Sequence, residues 1–430
     1  MDATKGNIYS ILNGNKQFLI PVYQRYYSWD IEQCKRLWND IVGMQKKNKQ
    51  GHFVGSIVNI AEQAMPTGVQ KYMIIDGQQR MTTLTLLLIA LRDYSIDHPE
   101  DISINFRRID NMLLKNEYEN GDERYKLLLT ENDRDILINL IERKPISENI
   151  VSRLLTNHSF FVEQIEKKEL MPAEIYESIG KLQIVNITLD RAVDDAQAIF
   201  ESLNSTGKEL SESDLIRNYI LMGLENDEQS FIYEHFWRPM ELMFDYEKQG
   251  TIMDKFFRDY LTMKLTRIPK INKVYEEFKL YHINCEFSSV ADLCEDLLKY
   301  TKYYTDMVFV RNSNPEIKNL YADVNDLRME VAFPFLLKVH NDCSEKIITE
   351  ENLIEILKIC ISYVFRRSIC DIPTNSLNKT FATLRNEIKQ DDYMNSIKAF
   401  FVLRDDYKQF PNDDKFENAF CSRDIYNMRS

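Results

Sequence analysis

The run Ile74-Ile75-Asp76-Gly77-Gln78-Gln79-Arg80-Met81-Thr82-Thr83-Leu84 constrains the fold of this 430-residue chain more than any other stretch. An apolar segment ends, an Asp-Gly turn follows, and a leucine-rich helix begins almost at once. Leu84, Leu87, Leu88 and Leu91 recur at i, i+3, i+4 and i+7, which predicts a helix with one buried face. Arg80 then falls in or just before the first helical turn, where the helix dipole already supplies partial positive charge. A cation there predicts an anion sharing the site, and a phosphate suits both the guanidinium fork and the free N–H groups of the helix start. The alternative is that Arg80 pairs with Asp76 or another acid of the fold.

Upstream, residues 17–22 (QFLIPV) read as a strand ended by Pro21. Asp30 opens a helix, with Gln33 completing a capping box and Cys34, Leu37, Trp38 and Ile41 forming its apolar stripe. Residues 53–60 and 71–75 read as a hairpin that delivers Asp76 at its end. Gly55, inside the first of these strands, leaves room for close approach of a backbone or ligand. Residues 96–180 alternate in charge and read as a helical insertion. A strand returns over 183–191, with Val185, Ile187 and Leu189 on one face, and helices follow near 193–203 and 212–223. Beyond about 225 the pattern is helical and rich in Tyr and Phe. With only 12 glycines and 11 prolines, long helices and few turns are expected. The organisation expected is α+β: an α/β domain over 1–224 and an all-helical domain over 225–430.

Two further polar clusters resemble the Arg80 turn. Tyr23, Gln24, Arg25, Tyr26, Tyr27 and Trp29 crowd between a strand and a capped helix. Aromatic faces can stack on a base, Gln can read a base edge or orient a water, and Arg can hold phosphate. The competing reading packs the rings into the core and pairs Arg25 at the surface. Asn204-Ser205-Thr206-Gly207-Lys208 forms a small polar loop that feeds a helix capped by Ser211 and Asp214, with Arg217 and Asn218 in its first turns. Such a loop can cradle an anion, or simply connect two helices.

Other chemistries are excluded or unsupported. The net charge, 54 − 67 = −13, argues against a general nucleic-acid binder, which needs Lys and Arg at the phosphates. The best local candidate for such contacts, Lys264, Arg267, Lys270 and Lys273, reads more readily as a solvated helix end or loop. Seven scattered cysteines include no Cys-x-x-Cys, so reduced, mostly buried thiols in a cytoplasm are expected. The longest apolar run is too short to cross a bilayer. There is no Walker loop, Gly-x-Gly-x-x-Gly, His-Glu-x-x-His or nucleophile elbow.

Taken together and in order, the motifs resemble one family. Pro21-x-Tyr23-Gln24-Arg25-x-Tyr27-x-Trp29, Gly55-Ser56-Ile57, Asp76-Gly77-Gln78-Gln79-Arg80-x-Thr82-Thr83-Leu84 and Phe200-x-x-Leu203-Asn204-x-x-Gly207-x-x-Leu210-x-x-x-Asp214-Leu215-Ile216-Arg217-Asn218 are similar to the N-terminal domain of GmrSD-type restriction systems, over roughly residues 8–222. Arg366-Arg367 is similar to its downstream pattern. The resemblance implies a ParB/sulfiredoxin-like core in which the Asp-Gly-Gln-Gln-Arg turn handles nucleotide phosphate. It further implies binding and hydrolysis of a nucleoside triphosphate with Mg2+, coupled to cleavage of modified DNA in restriction and phage defence. Full-length relatives continue into a His-Asn-His nuclease domain, a motif this sequence lacks, so the expectation is that a further segment or a partner supplies the nuclease.

On this basis Asp76, Gln78, Gln79 and Arg80 are the expected catalytic set, with Asp76 on the metal. Tyr23, Gln24, Arg25, Tyr27, Trp29, Gly55, Ser56, Gly77, Thr82, Thr83, Asn204, Gly207, Asp214, Arg217 and Asn218 are expected around the nucleotide. Arg80 and Arg25 hold phosphates in this scheme, while Gln78, Gln79 or Gln24 positions the water. The alternatives are a non-catalytic DNA-recognition module, or a module that docks a nuclease subunit. A homo-oligomer is compatible with either.

Overall fold

The computed structural model of the chain describes residues 1–62, 68–191, 193–204, 210–244, 249–404 and 408–422. It divides into two units, Met1–Glu209 and Leu210–Ser430. The first is α+β and the second, among its described residues, is entirely helical.

The first unit runs β1 (Asp2–Asn7), α1 (Ile8–Leu12), β2 (Lys16–Leu19), α2 (Ile31–Lys46), β3 (His52–Ala61), β4 (Gln70–Asp76) and α3 (Gln78–Asp97). The insertion adds α4 (Phe106–Ile109), β5 (Leu127–Leu128), α5 (Glu131–Ile141), α6 (Arg153–Glu166) and α7 (Pro172–Gly180). β6 (Leu182–Leu189) and α8 (Ala196–Asn204) close the unit. The six strands order as β1-β6-β3-β4-β2-β5. β3 and β4 form the expected antiparallel hairpin, while β6 lies parallel to β3 and β2 parallel to β4. Asp30 caps α2 by the expected box with Gln33.

Three features differ from the sequence reading. β1 is an exposed edge strand of polar residues (DATKGN), and β5 is two residues inside the insertion; neither carries the alternation by which strands are recognised. α3 is not amphipathic: every residue from Met81 to Arg92 is buried. It shares one core with Ile57, Ile74, Leu182 and Ile184 of the sheet and with Leu154 and Phe161 of α6. In β6 Leu182 and Ile184 are fully buried, on the face opposite Val185, Ile187 and Leu189, of which Leu189 is buried and the other two are half-buried.

At its far end α3 carries a buried arginine that ties the insertion down. Arg92 Nη1 reaches the Asp110 carboxylate at 2.5 Å and the Ile141 carbonyl at 2.8 Å, and its Nη2 reaches the Leu140 carbonyl at 3.1 Å. An unpaired guanidinium there would be costly, and these partners satisfy it.

The second unit opens on α9 (Glu212–Met222), which the sequence-based boundary at 224 had placed in the first domain. The physical reason is visible at its start, where the Asp254 carboxylate accepts from the Ser213 N–H at 2.7 Å and Glu212 accepts from the Tyr275 N–H at 2.6 Å. The unit continues through α10 (Asn226–Ile232), α11 (Arg238–Met243), α12 (Gln249–Leu265), α13 (Val274–Asn284), α14 (Val290–Val308) and α15 (Pro315–Asp326). It ends with α16 (Phe333–Ser344), α17 (Glu350–Ile369), α18 (Leu377–Leu384), α19 (Tyr393–Val402) and α20 (Asp413–Ser422). Phe256, Phe257, Tyr260, Tyr304 and Trp237 are buried together in edge-to-face and stacked pairs, which is where the aromatic surplus is used. No helix among the described residues is long and apolar enough to cross a membrane. All seven cysteines are free thiols; Cys34, Cys294 and Cys360 are buried and Cys421 is exposed.

Each unit buries one neutral histidine. Burial and the neighbouring Arg92 push His158 down to about 4. Burial alone does the same to His340, whose Nε2 lies 2.9 Å from the Tyr321 hydroxyl. Between pH 4 and 6.5 these rings bind fewer protons in the fold than in the unfolded chain, so unfolding free energy rises with pH through that window. Urea titrations from pH 4.5 to 7 should show this climb. His158→Gln and His340→Gln should each flatten it by on the order of 2 kcal/mol.

Candidate functional site

The parallel strands β2 and β4 end side by side, and each hands its chain to a helix start at that edge. Ligands in α/β sheets gather at such carboxyl ends. β4 ends at Asp76, and Gly77 is the residue that caps α3, with φ +92°. That conformation favours glycine, and space demands it too: a Cβ on Gly77 would lie 2.8 Å from the Ser56 carbonyl oxygen, which is backbone and cannot give way. The turn therefore brings α3 hard against β3.

Gly55 serves the same contact from the other strand. It sits at an irregularity between β3 and β6 with φ +115°. A Cβ there would meet the Arg80 guanidinium, 2.7 Å from Cζ and 2.8 Å from Nη2. The room expected at Gly55 is thus filled by a side chain of the same chain. Arg80 Nη1 donates to the Ser56 carbonyl. Burial lowers the Arg80 pKa from its ordinary value and the Asp76 carboxylate opposes the shift. Among the described residues Arg80 makes no ion pair, and Asp76 has no hydrogen-bond partner for its carboxylate. α3 has no side-chain cap and no acid in its first turn, so the N–H groups of Gln78, Gln79 and Arg80 lack acceptors among the described residues. One desolvated cation, three free N–H groups and one carboxylate adjoin at a single helix start.

The glutamines divide by what their amides already hold. Gln24 Nε2 donates to the Ile75 carbonyl at 2.9 Å, so its Oε1 is the end that accepts from Gln78 Nε2 at 3.0 Å. Gln79 Oε1 accepts from the N–H groups of Ser28 (2.7 Å) and Trp29 (3.2 Å), and its Nε2 donates to the Tyr26 carbonyl at 3.2 Å. Gln24 and Gln79 are therefore spent on the fold, and water positioning by their amides requires bonds to be broken. Gln78 alone of the three keeps an oxygen without a partner among the described residues.

The aromatic cluster likewise divides. Tyr23 is 1% exposed, which removes it from the rings open to a base. The Tyr27 hydroxyl lies 2.6 Å from Thr83 Oγ1 and accepts from Asn157 Nδ2 at 3.0 Å, so it belongs to the core. Thr82 and Thr83 are buried within α3. Trp29 remains half-buried. Arg25 is half-buried and has partners of its own.

Residues that sequence reasoning missed come from the insertion. Asp133 of α5 accepts from the Tyr27 N–H at 2.7 Å, Asn157 of α6 donates to the Trp29 carbonyl at 3.0 Å, and Arg153 of α6 donates to the Ser28 carbonyl. Nothing in the local pattern links these positions to a loop more than a hundred residues earlier.

The third cluster reads differently. Arg217 is buried within the second unit, with Nη1 2.6 Å from Glu241 and Nη2 2.8 Å from Asp214. Its charge is answered by two acids, which corrects the expectation that it awaits an anionic guest. Asp214, three residues before it on the same helix face, was the available signal. Asn218 is buried on the same helix. Gly207 lies outside the described residues, and of Asn204 only the backbone at the end of α8 is described. Three of the four members of the basic run are paired: Lys264 with Asp296 at 2.7 Å, Lys273 with Glu276 at 2.9 Å, and Arg267 with Glu277. Arg366 is paired with Asp413 at 2.6 Å.

The sequence model of the family described as GmrSD restriction endonuclease, N-terminal domain, matches residues 8–221. No curated protein matches the chain.

Gly77→Ala should cost about 2 kcal/mol or more of unfolding free energy, since both φ and the Ser56 carbonyl forbid it. Gly55→Ala should cost about 1 kcal/mol and push the guanidinium out of its seat. Urea denaturation of both variants, with a crystal structure of the second, checks the pair.

Proposed function

With residues 8–221 belonging to the GmrSD restriction endonuclease N-terminal domain family, we propose that this chain binds and hydrolyses a nucleoside triphosphate as the sensor module of a modified-DNA restriction system. Membership of that family makes it a restriction or phage-defence component. The observation that carries the nucleotide reading is the helix start at Gln78: among the described residues, a partly desolvated arginine has no ion pair and the three N–H groups beside it have no acceptor.

In this reading the terminal phosphates lie against the N–H groups of Gln78, Gln79 and Arg80, and the Arg80 guanidinium neutralises charge as the γ-phosphoryl group leaves. Gln78, its Nε2 committed to Gln24, presents Oε1 to a hydrogen of the attacking water. The water oxygen bonds to the γ-phosphorus, the bridging bond to the β-phosphate breaks with its electron pair going to the diphosphate, and the water proton ends on phosphate. Mg2+ prefers one or two carboxylates together with substrate phosphates. Asp76, a single carboxylate without a partner among the described residues, fits that mode, and the described residues hold no cluster of three protein ligands. The ion would neutralise charge on the phosphates. Of Tyr23, Tyr27 and Trp29, the ring that is not buried, Trp29, is the one offered to the base.

The DNA-recognition reading has less support, since the charge is −13 and three of the four members of the basic run are paired with acids. Arg80→Ala should lower kcat/KM for Mg·ATP and Mg·GTP by about 100-fold or more, with a melting temperature within a few degrees of wild type. Unchanged turnover overturns the proposal. Duplex-DNA binding that is indifferent to nucleotide and falls steeply with salt would favour the DNA reader instead.

A further inference from the structure

We propose, resting on the nucleotide reading above, that the helical insertion acts on the site through Asp133, Arg153 and Asn157, which position the backbone of residues 26–29. That segment lies in the connection from β2 to α2, just after Arg25, and carries the half-buried ring of Trp29. It belongs to no helix or strand, so its backbone polar groups must find partners elsewhere. They find side chains. Gln79 holds the Tyr26 carbonyl and the N–H groups of Ser28 and Trp29 from the α3 side. The insertion holds three more: Asp133 takes the Tyr27 N–H at 2.7 Å, Arg153 the Ser28 carbonyl, and Asn157 the Trp29 carbonyl at 3.0 Å.

Two properties of these contacts point to positioning. Asp133 makes no ion pair among the described residues, so its carboxylate acts on the loop as a hydrogen-bond acceptor and not through a counter-charge. Burial raises its pKa from the ordinary value, and the start of α5, where it is the third residue, favours its negative charge. Asn157 bridges two elements at once, since the same Nδ2 reaches the Tyr27 hydroxyl, itself 2.6 Å from Thr83 of α3. A shift of α6 is therefore felt both by the loop and by the helix that bears Arg80. The insertion itself is anchored to α3 through Arg92, Asp110 and the carbonyls of Leu140 and Ile141. Its position relative to the helix start is thus set at both ends of α3.

The loop contributes binding groups, while Arg80 and Gln78 lie on α3. Loosening the loop should weaken nucleotide binding more than it slows the chemical step. In the full chain, Asp133→Ala should raise KM for Mg·ATP and Mg·GTP about tenfold, the equivalent of one lost buried hydrogen bond, with kcat within about twofold. Asp133→Asn keeps an acceptor oxygen and should bring KM back to within about threefold of wild type. Amide exchange should quicken at residues 26–29 in the alanine variant and return to wild-type rates in the asparagine variant. A fall in kcat at unchanged KM, or identical behaviour of the two variants, overturns the proposal. If the wild-type chain turns over neither nucleotide, the hydrolysis reading fails, and exchange alone decides the clamp. Faster exchange confined to 26–29 then keeps it, and unchanged exchange removes it.

Discussion

Arg80 occupies the space that a side chain on Gly55 would need. This single displacement organises the site. The guanidinium is drawn under β3 and satisfied by a backbone carbonyl, and no acid within ion-pair distance claims it among the described residues. Partial burial raises the cost of the charge, and a half-buried cation met by a carbonyl dipole and a nearby carboxylate still favours an anion. Gly77 completes the arrangement from the other side, because only a residue without a Cβ lets α3 start so close to Ser56. Two glycines and one arginine thus fasten β3, the end of β4 and the start of α3 into one corner.

Around that corner, amides do the work that secondary structure does elsewhere. The chain of bonds from the Ile75 carbonyl through Gln24 to Gln78 has a direction imposed at its first member: a carbonyl can only accept. Each later amide orientation follows from it. Gln79, one residue on, holds the neighbouring loop by both ends of its side chain. Adjacent residues of identical type therefore have separate tasks, one facing the corner and one building its wall.

Much of this was legible locally. Asp30 and Gln33 lie three residues apart and cap α2 as expected; the hairpin ending in Asp76 and the helix after Gly77 follow from short-range pattern. What was not legible involves long separations or multiple faces. Tyr23 and Trp29 sit six residues apart in one aromatic run, and nothing in the run says that the first is buried and the second half-exposed. The leucines of α3 suggested one apolar face, yet the residues between them are buried as well, because α3 lies in a core that both the sheet and α6 help to build. Arg217 resembled Arg80 as a cation near a helix start, but Glu241, twenty-four residues on, answers its charge.

The amino-acid order alone determined the strand–turn–helix at Asp76–Gly77, the capped helix after Trp29 and the division into an α+β part and a helical part, since each rests on spacing, capping or turn chemistry within a few residues. Only the tertiary structure decided which arginine lacks an ion pair and which glutamine oxygen lacks a partner among the described residues, and which distant helices hold the 26–29 backbone. Those outcomes depend on what lies within hydrogen-bonding reach of a side chain, and chain folding brings such groups together from positions more than a hundred residues apart.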